Sequence, residues 1–324
     1  MEFRQLEAFV NAAKYKSFSK AADATFLTQP TISTHVSNLE NELGVKLLNR
    51  NGRDITLTPH GQQFYSYAVD LLNTREKALA QIHNMKEDLD GILEIQTSSI
   101  PGHYYLPTLM EDFHKKYPKV RFYVEQTDSR IVNENLVSQR GEIGLTGYKG
   151  NPALTYEPLF YDEMVLITPD TEKYRPYRDG EEIPVDLFIH EPFIMREDGS
   201  GTKQEMEKAL VNGKAVFKNV DVIARMSNMA AVKQVVSRGL GVSIVSEQIV
   251  KESAITEKIR YFRIRGLEKK RCFYLAYNKS VCLSPIAEHF LEFVHERIAD
   301  GVPGEDPEEK HKTAQTNGKQ IENK

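Results

Sequence analysis

Apolar side chains recur at helical spacing from the start of the chain. Phe3, Leu6, Phe9, Val10 and Ala13 fall on one face of a first helix. Ser17-Phe18-Ser19 interrupts the pattern, and Ser19 is placed to cap a short helix through Lys20, Ala21, Ala22 and Ala24. After the turn Phe26-Leu27-Thr28, Thr28 is the next cap and Pro30 enters the first helical turn, where a missing N–H costs nothing. Ile32, Val36, Leu39 and Leu43 line the core face of this third helix, and Gly44 stops it. Leu47 to Thr58 reads as a hairpin with Asn51-Gly52 at its tip.

A long helical pattern runs from Pro59 to about Leu89, with Phe64, Ala68, Leu71, Ala78, Ile82, Met85 and Leu89 as a narrow seam broken at Arg75. Such a seam pairs with a second helix, most simply its own copy, the alternative being the body of the same chain. Asp88-Leu89-Asp90-Gly91 ends it as a hinge. The rhythm then changes to strands alternating with helices. Strands are expected at Ile92–Thr97, Val120–Val124, Ile143–Gly147, Met164–Thr168 and Phe193–Met195. Helices are expected at Pro101–Tyr117, Asn133–Arg140, Lys203–Val211, Met229–Arg238 and Leu283–Ile298, which together imply parallel sheets covered by helices. Asp300 to Lys324 is polar, lacks aromatics and is expected to be a disordered tail.

Two short helices joined by a tight turn form a helix-turn-helix, and the hairpin after them is a wing. The second helix then presents Gln29, Thr31, Ser33, Thr34 and His35 to the base edges of a DNA major groove. Gln29 can pair with adenine through two hydrogen bonds, and Thr31 and Thr34 can touch a thymine methyl. Arg50 and Arg53 flank the wing and can grip phosphate, as can Ser19 and Lys20 at the opposite edge. A lone surface lysine is more often simply solvated.

Composition narrows the rest. A net charge of -4 excludes a wholly basic nucleic-acid coat, though not a local DNA-binding face. Charge over residues 1–58 is nearly balanced, so affinity must come from placement and from several copies acting together. Cys272 and Cys282 are too few for a disulfide framework or a structural zinc site and fit a reducing cytoplasm; a redox-sensing pair is the sharper alternative. The chain start lacks a secretory pattern and no apolar run has the length of a membrane span, so a soluble cytoplasmic protein is expected. No phosphate-binding loop, dinucleotide glycine fingerprint or zinc spacing is present, and Gly199-Ser200-Gly201 lacks the frame of a nucleophile elbow. An enzyme is therefore the weaker reading, and neither a cofactor nor a metal is expected.

Ser19-x-Ala21-Ala22, Leu27-Thr28-Gln29-Pro30-Thr31-Ile32-Ser33, Leu39-Glu40-x-Glu42-Leu43-Gly44, Leu47-Leu48-x-Arg50 and Leu57-Thr58-x-x-Gly61, in that order, resemble the LysR-type transcriptional regulators. Tyr117-Pro118-x-Val120, Gly141-Glu142-Ile143-Gly144-Leu145, Arg196-Glu197-Asp198-Gly199-Ser200-Gly201-Thr202 and Gly239-Leu240-Gly241-Val242-Ser243-Ile244 extend the resemblance to about residue 298. One departure is Thr34, where the family often places arginine. The resemblance implies a winged helix over 1–58, a dimerising linker helix over 59–90, and a two-lobed α/β effector domain over 91–299 like a periplasmic binding protein. Lobe I then takes 91–162 and 270–299, and lobe II 163–269. It also implies promoter DNA as partner, a homodimer or homotetramer, and control by a small metabolite.

Three stretches place small polar residues at helix starts after strands: Thr97-Ser98-Ser99, Asp198 to Thr202, and Ser227-Asn228-Met229. Helix N-termini favour anions, and ligands bind at the carboxyl ends of strands in open α/β sheets. Each alone is an ordinary cap; together, on a fold like a ligand-binding domain, they favour an anionic effector. The candidate set is Thr97, Ser98, Ser99, Ser129, Gly147, Tyr148, Arg196, Thr202 and Asn228. Arg196 can meet a carboxylate or oxyanion, or pair with Glu197 or Glu205. Regulators of sulfur and selenium assimilation are among similar members, which makes a sulfur or selenium compound the first expectation. An effector-independent architectural DNA-binding protein is the rival, and it leaves some two hundred residues of α/β domain without a use.

Overall fold

The computed structural model describes residues 1–50, 55–82, 89–253, 258–267 and 270–299. The N-terminal unit packs α1 (Phe3–Tyr15), α2 (Phe18–Thr25) and α3 (Gln29–Leu43) around Leu6, Phe9, Ile32, Val36 and Leu39, all buried. The cap of α2 is Ser17, not Ser19: its hydroxyl accepts from the Lys20 amide at 3.3 Å. Helix formation begins two residues earlier than the serine pattern suggests because Phe18 tucks against the core. Thr28 caps α3, and Gly44 (φ 69°) ends it in the left-handed conformation that suits glycine.

The wing is an antiparallel pair, β1 (Leu48–Asn49) and β2 (Thr56–Leu57), with Leu48 opposite Leu57. The expected tip, Asn51-Gly52 with Arg53, lies outside the described residues. The linker helix α4 (Pro59–Ile82) follows directly. A Cβ on Gly61 would lie 2.0 Å from the Leu47 carbonyl oxygen, so only glycine lets α4 pass this close to the wing. Of the expected seam, Met85 falls outside the described residues. Leu89 is no seam member: it is buried in the effector domain with Leu93, Ile286 and Phe290, because the chain there has already entered that core.

The C-terminal unit comprises two sheets. Lobe I is built from β3 (Gly91–Thr97), α5 (Ser99–Tyr104), α6 (Leu106–Lys116), β4 (Val120–Gln126), α7 (Ser129–Val137), β5 (Ile143–Thr146) and β6 (Leu154–Asp162). Lobe II continues with β7 (Met164–Pro169), β8 (Glu182–Ile183), β9 (Phe193–Arg196), α8 (Gly201–Lys208), β10 (Val222–Met226), α9 (Met229–Ser237), β11 (Ser243–Ser246), α10 (Glu247–Ser253) and β12 (Ile259–Ile264). The chain then returns to the first sheet with β13 (Arg271–Asn278) and ends in α11 (Pro285–Ala299). Strand orders are β4-β3-β5-β13-β6 and β11-β7-β12-β8, with β9 and β10 as a parallel pair.

The sheets are mixed, which corrects the all-parallel expectation. β3 is parallel to β4 and β5, but the returning β13 is antiparallel to β5 and β6, and β7 to β11 and β12. Two crossings between lobes make this unavoidable, since a strand that comes back enters its sheet from the far end. The expected helix over Pro101–Tyr117 is two helices that meet at Tyr105, because Pro107 cannot donate to an ongoing helix and instead opens a new one. The helix expected over Asn133–Arg140 is Ser129–Val137, started by the Asp128 cap and closed before Gln139 (φ 55°). Likewise α8 covers Gly201–Lys208, short of the Val211 expected.

Candidate functional site

At the N-terminal unit, Gln29 and Thr34 are exposed while Thr31, Ser33 and His35 are half-buried on α3. Ser19 and Gln29 meet across the two helices, the serine hydroxyl donating to Gln29 Oε1 at 3.3 Å. That contact joins the start of α2 to the start of α3 and orients the glutamine amide. Thr34 donates its hydroxyl to the Pro30 carbonyl at 2.9 Å, so its methyl is the part left to meet a partner. Thr28 and Thr31 share a hydroxyl contact of 2.8 Å. Lys20 is exposed beside Ser19.

Arg50 is held by its own domain. Its Nη2 donates to Ser37 Oγ at 3.2 Å and to Glu40 Oε2 at 3.3 Å, and its guanidinium lies 5.2 Å from the Phe18 ring centre. Glu40, which no DNA-facing pattern singled out, also accepts from Lys46 Nζ at 2.8 Å and from the Leu47 and Leu48 amides at 3.0 and 3.2 Å. Burial of this carboxylate would raise its pKa, but the bonds from Lys46, Leu48 and Leu47 outweigh that and hold it below the ordinary value. Phe26 is 94% exposed with φ 54°, an uncommon backbone state for a bulky residue.

In the C-terminal unit, the ends of β3, β5 and β9 and the starts of α7, α8 and α9 converge between the lobes. Ser98, Ser99, Ser129, Arg196 and Thr202 line one narrow slot of about 20 Å³ with Asp128, Glu197 and Phe273. That volume suits a water-sized group. A larger cavity of about 560 Å³ adjoins it through Ser99, Ile100, Asp128 and Glu197, and continues past Asn228, Lys233 and His103. It has the size of a small-metabolite site. The Ser98 hydroxyl is buried, and among the described residues it has no hydrogen-bond partner.

The remaining polar groups are engaged within the protein. Ser129 Oγ accepts from the Gly147 amide at 3.3 Å, and Asn228 Oδ1 from the Ala231 amide at 3.0 Å. Arg196 makes a two-pronged pair with Glu197, both bonds 2.8 Å, and reaches Ser99 Oγ at 3.4 Å. Of the alternatives open for Arg196, Glu197 is thus the partner. Thr97 is fully buried behind the slot, its hydroxyl donating to the Ser98 carbonyl at 3.1 Å. Tyr148 stands aside, its ring under Lys208 Nζ at 5.4 Å.

Three residues were missed. Asp128 caps α7 through the Arg130 and Ile131 amides at 2.9 and 3.0 Å, and its position before Ser129 after a strand was a legible cap signal. Arg271 and Asp162 form a buried pair at the crossings between lobes, Nε to Oδ2 at 2.6 Å. Arg271 also donates to Thr202 at 2.8 Å, and Ser246 to Asp162 at 2.9 Å, so both lobes share one network. These partners are 109 residues apart, and no local pattern announces them. Among the described residues there is no cluster of three metal-ligating side chains and no helix long and apolar enough to cross a membrane.

A winged helix-turn-helix joined by a long helix to a two-lobed α/β domain with a polar cleft defines a ligand-responsive DNA-binding regulator. Residues 3–62 match the bacterial regulatory helix-turn-helix proteins of the lysR family and residues 86–299 the LysR substrate binding domain, and the chain belongs to that family. A relative described as an uncharacterized HTH-type transcriptional regulator, MJ0300 of Methanocaldococcus jannaschii, is 32% identical over 291 residues, covering 89% of this chain and 96% of that one. A full-length OxyR variant from Pseudomonas aeruginosa has the same fold, with a TM-score of 0.74 at 20% identity over 91% of this chain and 94% of that chain. The effector binding domain of QuiR in complex with shikimate gives 0.57 at 18% identity, over 64% of this chain and 96% of that chain. The chain is accordingly a DNA-binding transcriptional regulator with an effector-binding domain, and its relatives are regulators rather than enzymes.

Proposed function

We propose that this regulator reads promoter DNA through the start of α3 and is switched by a small anion whose charged group enters the slot at Ser98. The observation that carries the effector reading is the buried, unpartnered Ser98 hydroxyl, in a slot that also receives the starts of α7 and α8. A buried hydroxyl without a partner is costly, and an oxyanion would accept from it. The helix N-termini add favourable potential. Arg196 supplies the cation once its grip on Glu197 is exchanged for the ligand, while the body of the effector occupies the larger cavity by Asn228 and Lys233. Shikimate, which occupies the QuiR domain, is a carboxylate of suitable size. A sulfur or selenium oxyanion or amino acid remains the first specific candidate, and a cytoplasmic location accords with promoter DNA as partner.

Thermal-shift titration with sulfate, thiosulfate, selenite, O-acetylserine and simple carboxylates tests this. A saturable rise in Tm with one member, lost in Ser98→Ala, is the expected result. Silence of every sulfur and selenium compound removes that branch, and silence of the whole panel removes the anion.

On the DNA side, Gln29 and the Thr34 methyl read bases, Thr31, Ser33 and His35 support them, and Ser19, Lys20 and Arg53 bind phosphate. Arg50 acts chiefly by bracing the wing on Glu40. Selection of binding sites from random duplexes should show an altered base preference at one position per half-site for Gln29→Ala. An unchanged profile would overturn the assignment of α3.

A further inference from the structure

Away from the cleft, α1 and α4 rest on lobe I of their own chain. Lys14 forms an ion pair with Glu94 on β3. Asn73 on α4 donates to the Cys282 carbonyl at 2.7 Å and reaches Glu142 at 3.4 Å, while Asp70 accepts from the Cys282 amide at 3.1 Å. Lys77 pairs with Glu288 at 2.5 Å. Glu142 is itself fixed by Ser284, through the amide at 2.5 Å and the hydroxyl at 2.7 Å.

Between these contacts lies a cavity of about 520 Å³ lined in part by Val10, Lys14, Tyr65, Glu94, Gln139 and Glu142. The wall is mixed, with Val69, Leu72, Ile92 and Ile286 facing the same space, and polar groups clip the junction around it. Water can replace each clip when the units separate. Burial pushes the Lys14 ammonium down to about 8 against the opposing pull of Glu142, a desolvation cost recovered on separation.

Two of the junction's acidic groups, Glu94 midway along β3 and Glu142 just before β5, belong to strands whose far ends form the slot. β3 runs from Gly91 through Glu94 to Thr97 and Ser98. β5 begins just after Glu142 and ends just before Gly147. The strands are parallel neighbours, Ile95 beside Ile143 and Thr97 beside Leu145. At roughly 3.3 Å per residue, about 13 Å separates Glu94 from Ser98 and about 17 Å separates Glu142 from Gly147. Lobe II touches the end of β5 directly: a Cβ on Gly201 would lie 3.1 Å from both the Gly147 carbonyl oxygen and Ser129 Oγ.

We propose that Lys14, Glu94 and Glu142 form a latch that docks the DNA-binding unit on its own effector lobe, and that displacement at the slot releases it through β3 and β5. This rests on the slot being the effector site and adds the route by which its occupancy reaches the DNA-binding unit. Such coupling needs an element with two arrangements that both sites bias, and here that element is the docked or separated junction.

Electron–electron distance measurements on the full chain test it without any effector. Spin labels go on the exposed positions Asp23→Cys and Glu111→Cys in a Cys272→Ser, Cys282→Ser background, diluted tenfold with unlabelled chain. Lys14→Met keeps the stem and removes the charge, and should raise the separated population at least threefold; Glu94→Gln should do the same if Lys14→Met folds poorly. Gly201→Ala pushes on Gly147 and should raise that population at least twofold with the latch intact, adding nothing in Lys14→Met. An unchanged distance distribution in both latch variants overturns the latch. A Gly201→Ala effect that is absent, or equal in both backgrounds, overturns the route from the slot. A silent effector panel would overturn the slot reading instead, leaving these distances as they are.

Discussion

Glu40 is a charged residue whose side chain is fully covered, at the place where the wing joins the recognition helix. Its oxygens accept two backbone amides, a lysine and an arginine, so the carboxylate does for the wing what a cap does for a helix. Because its folded pKa lies below the ordinary 4.5, its contribution is complete above about pH 4.5 and is lost as pH falls through the folded value. Glu40→Gln should therefore lower the stability of the winged helix at pH 7 by about 2 kcal/mol. It should also flatten the loss of stability below pH 4.5. Urea unfolding followed at pH 7 and pH 3.5 checks both, and an equal acid loss in the variant would show that another carboxylate governs it. The sequence displayed Glu40 inside a family motif without its job, since its partners sit six to ten residues away across a turn.

At the scale of elements, α4 exposes Tyr67, Leu71, Ala78 and Leu79 along its length, while Ala68 and Tyr65 face the winged helix. The seam visible in the sequence is thus divided: one edge serves the chain's own core, and the other stays exposed, the surface expected to meet a second copy. Leu71→Glu places a charge in the middle of the outward edge. Sedimentation should then show dissociation to monomer at micromolar concentration, with DNA affinity falling more than tenfold because two half-sites no longer act together. A variant that remains dimeric would assign dimerisation to another surface. Element types were legible wherever periodicity was long, as in α1, α3 and α4. Boundaries drifted where a single residue decided them: Ser17 in place of Ser19, Pro107 within an apparently continuous amphipathic stretch, and Gln139 in a left-handed turn.

At the scale of the whole molecule, what matters is which groups the two lobe crossings bring face to face. Asp162 and Arg271 meet only because the chain leaves lobe I after β6 and comes back with β13. A buried charge pair of this kind contributes little net stability but is costly to break, so it suits a joint that must keep one geometry. The same return makes Thr202 part of a network shared by both lobes, and it sets Gly201 against Gly147 at the end of β5. The sequence by itself determined the winged helix, the long helix that follows it and the polar helix starts of the cleft, because caps, turns and periodicity act over a few residues. Only the tertiary structure decided that Arg50 braces a buried carboxylate and that Lys14 meets Glu94 across two units. Those pairings depend on where distant backbone segments cross, and local sequence carries no signal for a contact made that far along the chain.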